Sequence, residues 1–460
     1  MTATTFDTDE EETDQLKTVF ISLAIIALIS AVVPVIAHLI PRNILPETVL
    51  LIAAGALLGP NMAGVIRADN EEIVFLADLG CAFLFLLAGY EIDPKSVVGR
   101  DGKHGLLTWI VTFAVGLGLS LLMPSLAEGK QGLIATALLM TTTALGTLMP
   151  ILKDRALMGT REGDLVLAYG TWGELATVLA VAILLSVRTG WQTALILFAF
   201  FLICIWFGAA GMRNVRKGTA IFRFLESRAD STSQTMVRVT ILMLVVLVTF
   251  SSIFDLDIVL GAFAAGFILR FIVPEGNKTL EMKLDAIAYG FLIPLFFVVS
   301  GCKIDLRAVS ERPGLLLFFI AALVLVRCIP IVVSLAVRKD TRSEMTWHNR
   351  LSVAFYCTTA LPLIVAITGI TVGRGIMEED VASVLVAAGA ITVFLMPFLA
   401  SASYHVSDAE PIDAIREITH DPGHIREIIH EHIERKHEKA EAYRNEAVMR
   451  IRNKPDSEKD

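Results

Sequence analysis

The chain predicts an all-α polytopic membrane protein, and three observations predict it. Apolar runs of about 20 residues recur from Thr18 to Tyr404, each long enough to cross a hydrocarbon core of roughly 30 Å. Of 460 residues, 55% are hydrophobic, and the mean hydropathy is +0.66, more apolar than soluble domains usually are. Finally, the two halves of the apolar region resemble each other, stretch by stretch and in the same order.

Taken in order, residues 1–15 are acidic (DTDEEETD) and read as disordered. A membrane domain over 16–404 then holds about 13 transmembrane helices. The run at 18–40 is too long for a signal-peptide core. It lacks a basic leader and a small-residue cleavage site, so it is expected to stay in the mature protein. The runs at 46–64, 71–92 and 105–126 follow, the first of them short. The run at 131–152 contains TTTALGTLMP, and 164–187 contains Glu174. A run at 191–210 links the halves. The runs at 237–254 and 257–274 are separated only by a tight turn at Asp255 to Asp257. Those at 284–304, 313–337 (with Arg327), 347–371 (with CTTALPLIV) and 380–404 complete the domain.

The tail, 405–460, reads as a cytoplasmic helical segment. Asp421-Pro422 is a helix start, with Asp as N-cap and Pro in the first turn. Ile425, Ile428, Ile429 and Ile433 then line one face. The plain reading is an amphipathic helix that docks on the core or pairs with another tail. Histidine-based pH sensing and metal binding are the other readings, given His405, His420, His424, His430, His432 and His437.

Lys and Arg in the loops set the orientation. With the N-terminus outside, the larger share falls on the cytoplasmic side, so N-outside and C-cytoplasmic is expected in a plasma membrane. The five cysteines sit in apolar runs without a CxxC pair, which argues against a disulfide framework or zinc site. The net charge of −8 comes partly from the two termini and gives no sign of nucleic-acid binding. No nucleophile–base set or metal-ligand cluster stands out, so no enzyme activity and no cofactor are expected.

The internal repeat sharpens the picture. GCAFLFLLAGYEIDPKSV pairs with GFLIPLFFVVSGCKIDLRAV, setting Gly89 against Gly301 and Asp93 against Asp305. TTAL recurs at Thr142–Leu145 and Thr358–Leu361, and at that offset Gly173-Glu174 lies over Gly389-Ala390. VLLIAAGALLGP resembles VLGAFAAGFILR. Repeat 1 (16–187) and repeat 2 (237–404) are offset by an odd number of spans, so their topologies are inverted. Inverted repeats place a site at the bilayer midplane, where interrupted helices from each half meet. TTTALGTLMP and CTTALPLIV are the expected interruptions, with Pro150 and Pro362 weakening the helical ladder.

Charge then picks out the chemistry. Glu174 is the only carboxylate, and Arg327 the only base, near the middle of an apolar run. A charge at that depth is costly and marks a functional site by default. Glu174 is the expected proton and alkali-cation site, with Thr142, Thr143, Thr358 and Thr359 as oxygen donors at the interruptions. Those threonines could instead bond back to their own helices. Arg327 stays protonated, so it is expected to neutralise an ion-free Glu174 or to hold an interruption together. A static buried ion pair is the bland alternative. Asp78 is a secondary candidate, suited to a vestibule or to the ion path, with Gly290 as its repeat position, whereas Glu91, Asp93, Asp154 and Asp305 lie at span ends, where solvated charges are normal.

With PETVLLIAAGALLGP, LFLLAGYEID, TTTALGTLMPILKD, GTWGELATVLA, LGAFAAGFILR, GFLIPLFFVVSGCKIDL and the Arg327 run in this order, the chain resembles the monovalent cation:proton antiporter family. The branch is that of sodium/proton exchangers and potassium-efflux proteins, and the match covers roughly 46–400. The resemblance implies two crossed, interrupted helices, a mobile core domain and a homodimer. It carries the ion-binding acid over to Glu174. Many relatives have two adjacent aspartates where this chain has Gly173-Glu174, and many carry an Arg-Gly-Glu where this chain has Thr358-Thr359-Ala360-Leu361. The tail has no GxGxxG, so a nucleotide-binding regulatory domain is not expected in this chain.

The function expected is secondary-active exchange of protons for Na+ or K+ by alternating access. One cation per proton is expected, because Gly173 offers no second carboxylate. A proton- or sodium-coupled organic-anion carrier and a non-transporting membrane sensor are the alternatives.

Overall fold

The computed structural model describes residues 4–39, 46–92, 97, 99–122, 129–155, 157–184, 235–254, 256–272 and 278–404. The first helix, α1 (Thr4–Leu39), already includes the acidic stretch read as disordered. Acids near a helix N-terminus are favoured by its dipole; the apolar part of α1, long enough to cross a membrane, is Leu16–Ala37.

The remaining helices are α2 (Glu47–Leu58), α3 (Glu71–Glu91), α4 (Arg100–Leu121), α5 (Gly129–Thr141), α6 (Leu145–Asp154) and α7 (Arg161–Leu184). Repeat 2 supplies α8 (Thr235–Ile253), α9 (Ile258–Ile272), α10 (Lys278–Ile287), a π-helical turn Ala288–Leu292, and α11 (Ile293–Cys302). It continues with α12 (Leu306–Glu311), α13 (Pro313–Val337), α14 (Lys339–Glu344), α15 (Trp347–Tyr356), α16 (Leu361–Gly373) and α17 (Glu379–Tyr404). The termini obey local chemistry. Asp305 caps α12 by accepting from the Arg307 amide at 2.8 Å, and Pro313 and Pro362 open α13 and α16.

Every expected span falls on a helix or a broken helix pair, except 191–210 and the tail, which lie outside the described residues. Among the described residues, 9 helices are long and apolar enough to cross a membrane, and 10 if the bent pair α15–α16 counts as one. Helices α2 and α9 are shorter than a full crossing. Pro46 precedes α2 and Gly59-Pro60 ends it, leaving 12 residues of helix.

The helices form two bundles. α2, α3, α8, α9 and α11 pack together, with α1 alongside; α4 to α7, α13 and α15 to α17 make the second. Two crossings hold the first bundle. At one, a Cβ on Gly55 would strike the Val298 carbonyl and a Cβ on Gly301 the Ile52 carbonyl. At the other, Gly89 meets the Phe263 carbonyl and Gly266 the Leu86 carbonyl. Only glycine permits this backbone contact. The repeat pairs Gly89 with Gly301, and its AAG stretches align Gly55 with Gly266, so each crossing is the other's counterpart. Helix α2 of one repeat lies on α11 of the other, and α9 on α3.

Outer faces are apolar. Phe20 and Leu28 on α1 and Leu242 on α8 are more than half exposed, as lipid-facing side chains would be.

Candidate functional site

Both helices expected to be interrupted are broken. Residues 142–144 leave the helix between α5 and α6, and 357–360 leave it between α15 and α16, where the bend is 41°. Pro150 is not at the break; it falls inside α6. The two breaks touch. The Ala144 amide donates to the Thr359 carbonyl at 2.8 Å, and Thr143 Oγ1 donates to the Cys357 carbonyl at 2.6 Å. Breaking a helix frees amides on one side and carbonyls on the other. Here each set partly serves the other.

Glu174, on α7, is 3% exposed. Its Oε2 accepts the Leu145 amide at 3.1 Å. Leu145 is the first residue of α6, so the carboxylate sits at the positive end of a half-helix. Arg327, on α13, is 1% exposed. Its Nη2 donates to Thr143 Oγ1 at 2.7 Å and to the Tyr169 carbonyl at 3.3 Å, and its Nε donates to the Cys357 carbonyl at 3.3 Å.

Among the described residues, Glu174 and Arg327 make no ion pair within 4.0 Å; the guanidinium donates instead to the Cys357 carbonyl at the second break, the Tyr169 carbonyl on α7 and the Thr143 hydroxyl. Arg327 ties both breaks to α7, the bracing role among those considered. Gly173 explains how it fits. A Cβ there would strike Arg327 Nη2 and Thr143 Oγ1. The guanidinium fills the space that a side chain at 173 would take.

Of the four threonines, all buried, only Thr143 reaches across the breaks. Thr142, Thr358 and Thr359 donate to Leu139, Ala354 and Tyr356 carbonyls of their own segments. Their hydroxyl protons are committed, while each oxygen keeps acceptor capacity for a cation. Asp78, on α3, is set elsewhere. Its charged surroundings are Lys303 and Asp257, whereas the carboxylate acting on Glu174 is Glu91, at the end of α3. Sequence reasoning left Glu91 as an ordinary span-end charge. It also passed over Tyr169 and Thr177. The latter accepts from Trp109 Nε1 at 3.0 Å and donates to the Gly173 carbonyl at 2.7 Å.

A separate ionic cluster closes one end of the second bundle. Arg161 Nη1 lies 2.6 Å from Asp101 Oδ2, Arg338 Nη2 lies 2.6 Å from Asp340 Oδ2, and Arg338 also pairs with Asp101. It joins the starts of α4, α7 and α14 to the end of α13. The Arg338 hydrogen bond holds the Asp340 carboxyl well below the usual carboxylate range.

No group of three or more His, Cys, Asp or Glu side chains could hold a resident metal among the described residues. One carboxylate with hydroxyl and carbonyl oxygens suits a weakly held monovalent cation, a hard ion that takes oxygen ligands.

Comparison with known proteins bears on the fold and the family. Residues 24–402 match the family model described as "Sodium/hydrogen exchanger, transmembrane". YjbQ of Bacillus subtilis, whose name provisionally makes it a Na+/H+ antiporter, is 26% identical over 399 residues. That alignment covers 82% of this chain and 62% of the relative, so the chain spans less than two thirds of it. The Na+/H+-K+ antiporter GerN of Bacillus cereus is 22% identical over 370 residues, covering 79% of this chain and 91% of GerN. The solved sodium proton antiporter MjNhaP1 of Methanocaldococcus jannaschii shares the fold, with a TM-score of 0.59. It is 14% identical, covering 84% of this chain and 98% of that one.

Proposed function

The chain belongs to the sodium/hydrogen exchanger family, and from that premise we propose that it exchanges protons for Na+ or K+ across a membrane by alternating access, with Glu174 as the shared site. The observation that carries this is Glu174, the one carboxylate among the described residues that is fully buried, held by the first amide of a broken helix. A protonated Glu174 is neutral. When ionised it is a single negative charge beside a half-helix N-terminus. Proton and cation compete for it, and competition at a site facing one side at a time is sufficient for exchange.

Arg327 does not titrate in this scheme. Its hydrogen bonds fix the two breaks to each other and to α7, so the site moves as one piece. With one titrating carboxylate, each cycle carries one proton against one cation and no net charge. Thr142, Thr143, Thr358 and Thr359 supply candidate oxygen ligands. The bundle of α1 to α3, α8, α9 and α11 is the fixed, dimerising half and the second bundle the moving half. The loop charges support a plasma-membrane protein with its N-terminus outside and C-terminus in the cytoplasm. Neither the organic-anion carrier nor the sensor gains support from the relatives.

The test is proton flux in proteoliposomes against a panel of Li+, Na+, K+ and Rb+. Flux driven by Na+ or K+, and unchanged by an imposed membrane potential, is expected. No flux with any alkali cation would overturn the proposal; flux that rises strongly with potential would overturn the stoichiometry.

A further inference from the structure

The helical stretch from Lys278 to Cys302 is not a uniform α-helix. Ala288–Leu292 winds one wider π turn, and single π turns recur at functional positions. Here Tyr289 lies within that turn. Its hydroxyl lies 3.9 Å from the point a Cβ on Gly146 would occupy. Gly146 follows Leu145, whose amide holds Glu174. Tyr289 thus stands between the bundles: its turn packs against α3 in the first, and its hydroxyl reaches α6 in the second.

Its helix face is acidic. Glu281, Asp285 and Tyr289 recur four residues apart and so share one side of the helix. Asp285 is exposed although it lies inside the apolar span Thr279–Cys302. A carboxylate in that position faces water rather than hydrocarbon. Tyr289 is 42% exposed, and a Cβ on neighbouring Gly290 would meet nothing within 4 Å. Glu281 Oε1 accepts the Tyr90 hydroxyl at 3.0 Å. The carboxylates of Glu91, Asp285 and Glu174 all lie within electrostatic reach of the Tyr289 hydroxyl.

We propose that Tyr289 is a positioning residue of the exchange, its phenol oxygen the last neutral ligand an alkali cation meets on a path lined by Glu281 and Asp285 before it reaches Glu174. This rests on the exchanger reading above. A phenol can both donate and accept, and it adds a hard oxygen without adding charge. A neutral oxygen guides a partly dehydrated cation but does not trap it, so the carboxylate beyond keeps the tighter hold.

The experiment compares wild type with Tyr289→Phe in proteoliposomes, measuring exchange rate against Na+ and K+ concentration. Melting in detergent as Na+ is titrated gives a second readout. Tyr289→Phe keeps the ring and loses the oxygen. Expected are a several-fold rise in the half-saturating cation concentration, a maximal rate within about twofold of wild type, and a matching rise in the Na+ needed for thermal stabilisation. An unchanged half-saturating concentration, or a lower maximal rate alone, would overturn the proposal. If Tyr289→Phe does not fold, Asp285→Asn tests the same path from its outer end, and an unchanged half-saturating concentration there also overturns it. A wild-type protein without alkali-driven flux would instead overturn the exchanger reading, and this proposal with it.

Discussion

The two breaks are counterparts in the repeat, yet only the first has a buried carboxylate at it. At the first, the opening amide of α6 is held by Glu174, and Gly173 makes room for a guanidinium. At the second, α16 opens with Leu361. The residues equated with Gly173 and Glu174 are Gly389 and Ala390, and the nearest neighbours of a Cβ on Gly389 would be the side chains of Ile364 and Leu361. One half is built around charge and the other around hydrocarbon. The scaffold that crosses two half-helices is thus separable from the chemistry placed on it. The repeat supplies the crossing, and one copy alone places a carboxylate against its broken helix.

The most severe way to break the comparison is to make the first half resemble the second. Glu174→Gln keeps the side chain's shape, so the protein should fold, while cation-driven proton movement should fall to background in proteoliposomes. Full exchange by a folded Glu174→Gln protein would remove the asymmetry altogether. Glu174→Asp should keep some activity with altered cation affinity.

Arg327→Ala comes next. It removes one donor each from the Thr143 hydroxyl and the Tyr169 and Cys357 carbonyls, the last of which keeps the Thr143 hydroxyl, at about 1–3 kcal/mol for each group left unpaired. A large drop in melting temperature is expected, with the pH profile of any remaining exchange in place. A pH optimum that rises instead would make Arg327 the charge partner of Glu174 after all. Arg327→Lys should be intermediate, because an ammonium cannot span all three acceptors with the fork of a guanidinium.

The same small change in both halves sharpens the contrast. Gly173→Ala drives a methyl into the guanidinium and the Thr143 hydroxyl, both fixed by hydrogen bonds. It should destabilise by about 1–3 kcal/mol, as overpacking does, and impair exchange. Gly389→Ala meets the Ile364 Cδ1 at 3.0 Å, a flexible side-chain end that can shift. Its cost should be offset by the helix preference for Ala over Gly, about 1 kcal/mol, leaving melting nearly unchanged. Equal effects would mean the two halves are equally rigid.

The smallest expected effect lies away from both breaks. The Asp340 carboxyl is held below its ordinary range, so its contribution to stability is present at neutral pH. That contribution is lost only as acid pushes through the lowered value. Asp340→Asn should lower the melting temperature slightly at pH 7, and the difference from wild type should shrink in strong acid. A gap that widens as pH falls would show that the cluster stabilises by something other than the ionised carboxylate.

Much of this was legible in the chain. Apolar length marks spans, because hydrocarbon leaves the backbone no partner but itself. An ionised side chain at mid-span marks a site, because its burial is costly enough to be rare. The recurring TTAL located both breaks. Other features were not legible. Pro150 suggested where the first ladder fails, yet the break lies ahead of it, where Ala144 finds a partner on the other strand. Glu91 looked like a solvated end until α3 was laid against α6.

By itself the sequence determined the class of fold, the repeat, the broken helices and the acid proposed as the site, since each depends on hydrophobicity or charge along one stretch of chain. Only the tertiary structure decided the partners. Arg327 and Glu174 attract on paper, but which buried donors meet which acceptors depends on where the two breaks release their amides and carbonyls. That geometry arises from the crossing of helices more than 200 residues apart in the chain. It sends the guanidinium to carbonyls, leaves the carboxylate to a helix end, and makes the missing side chain of Gly173 a condition of both.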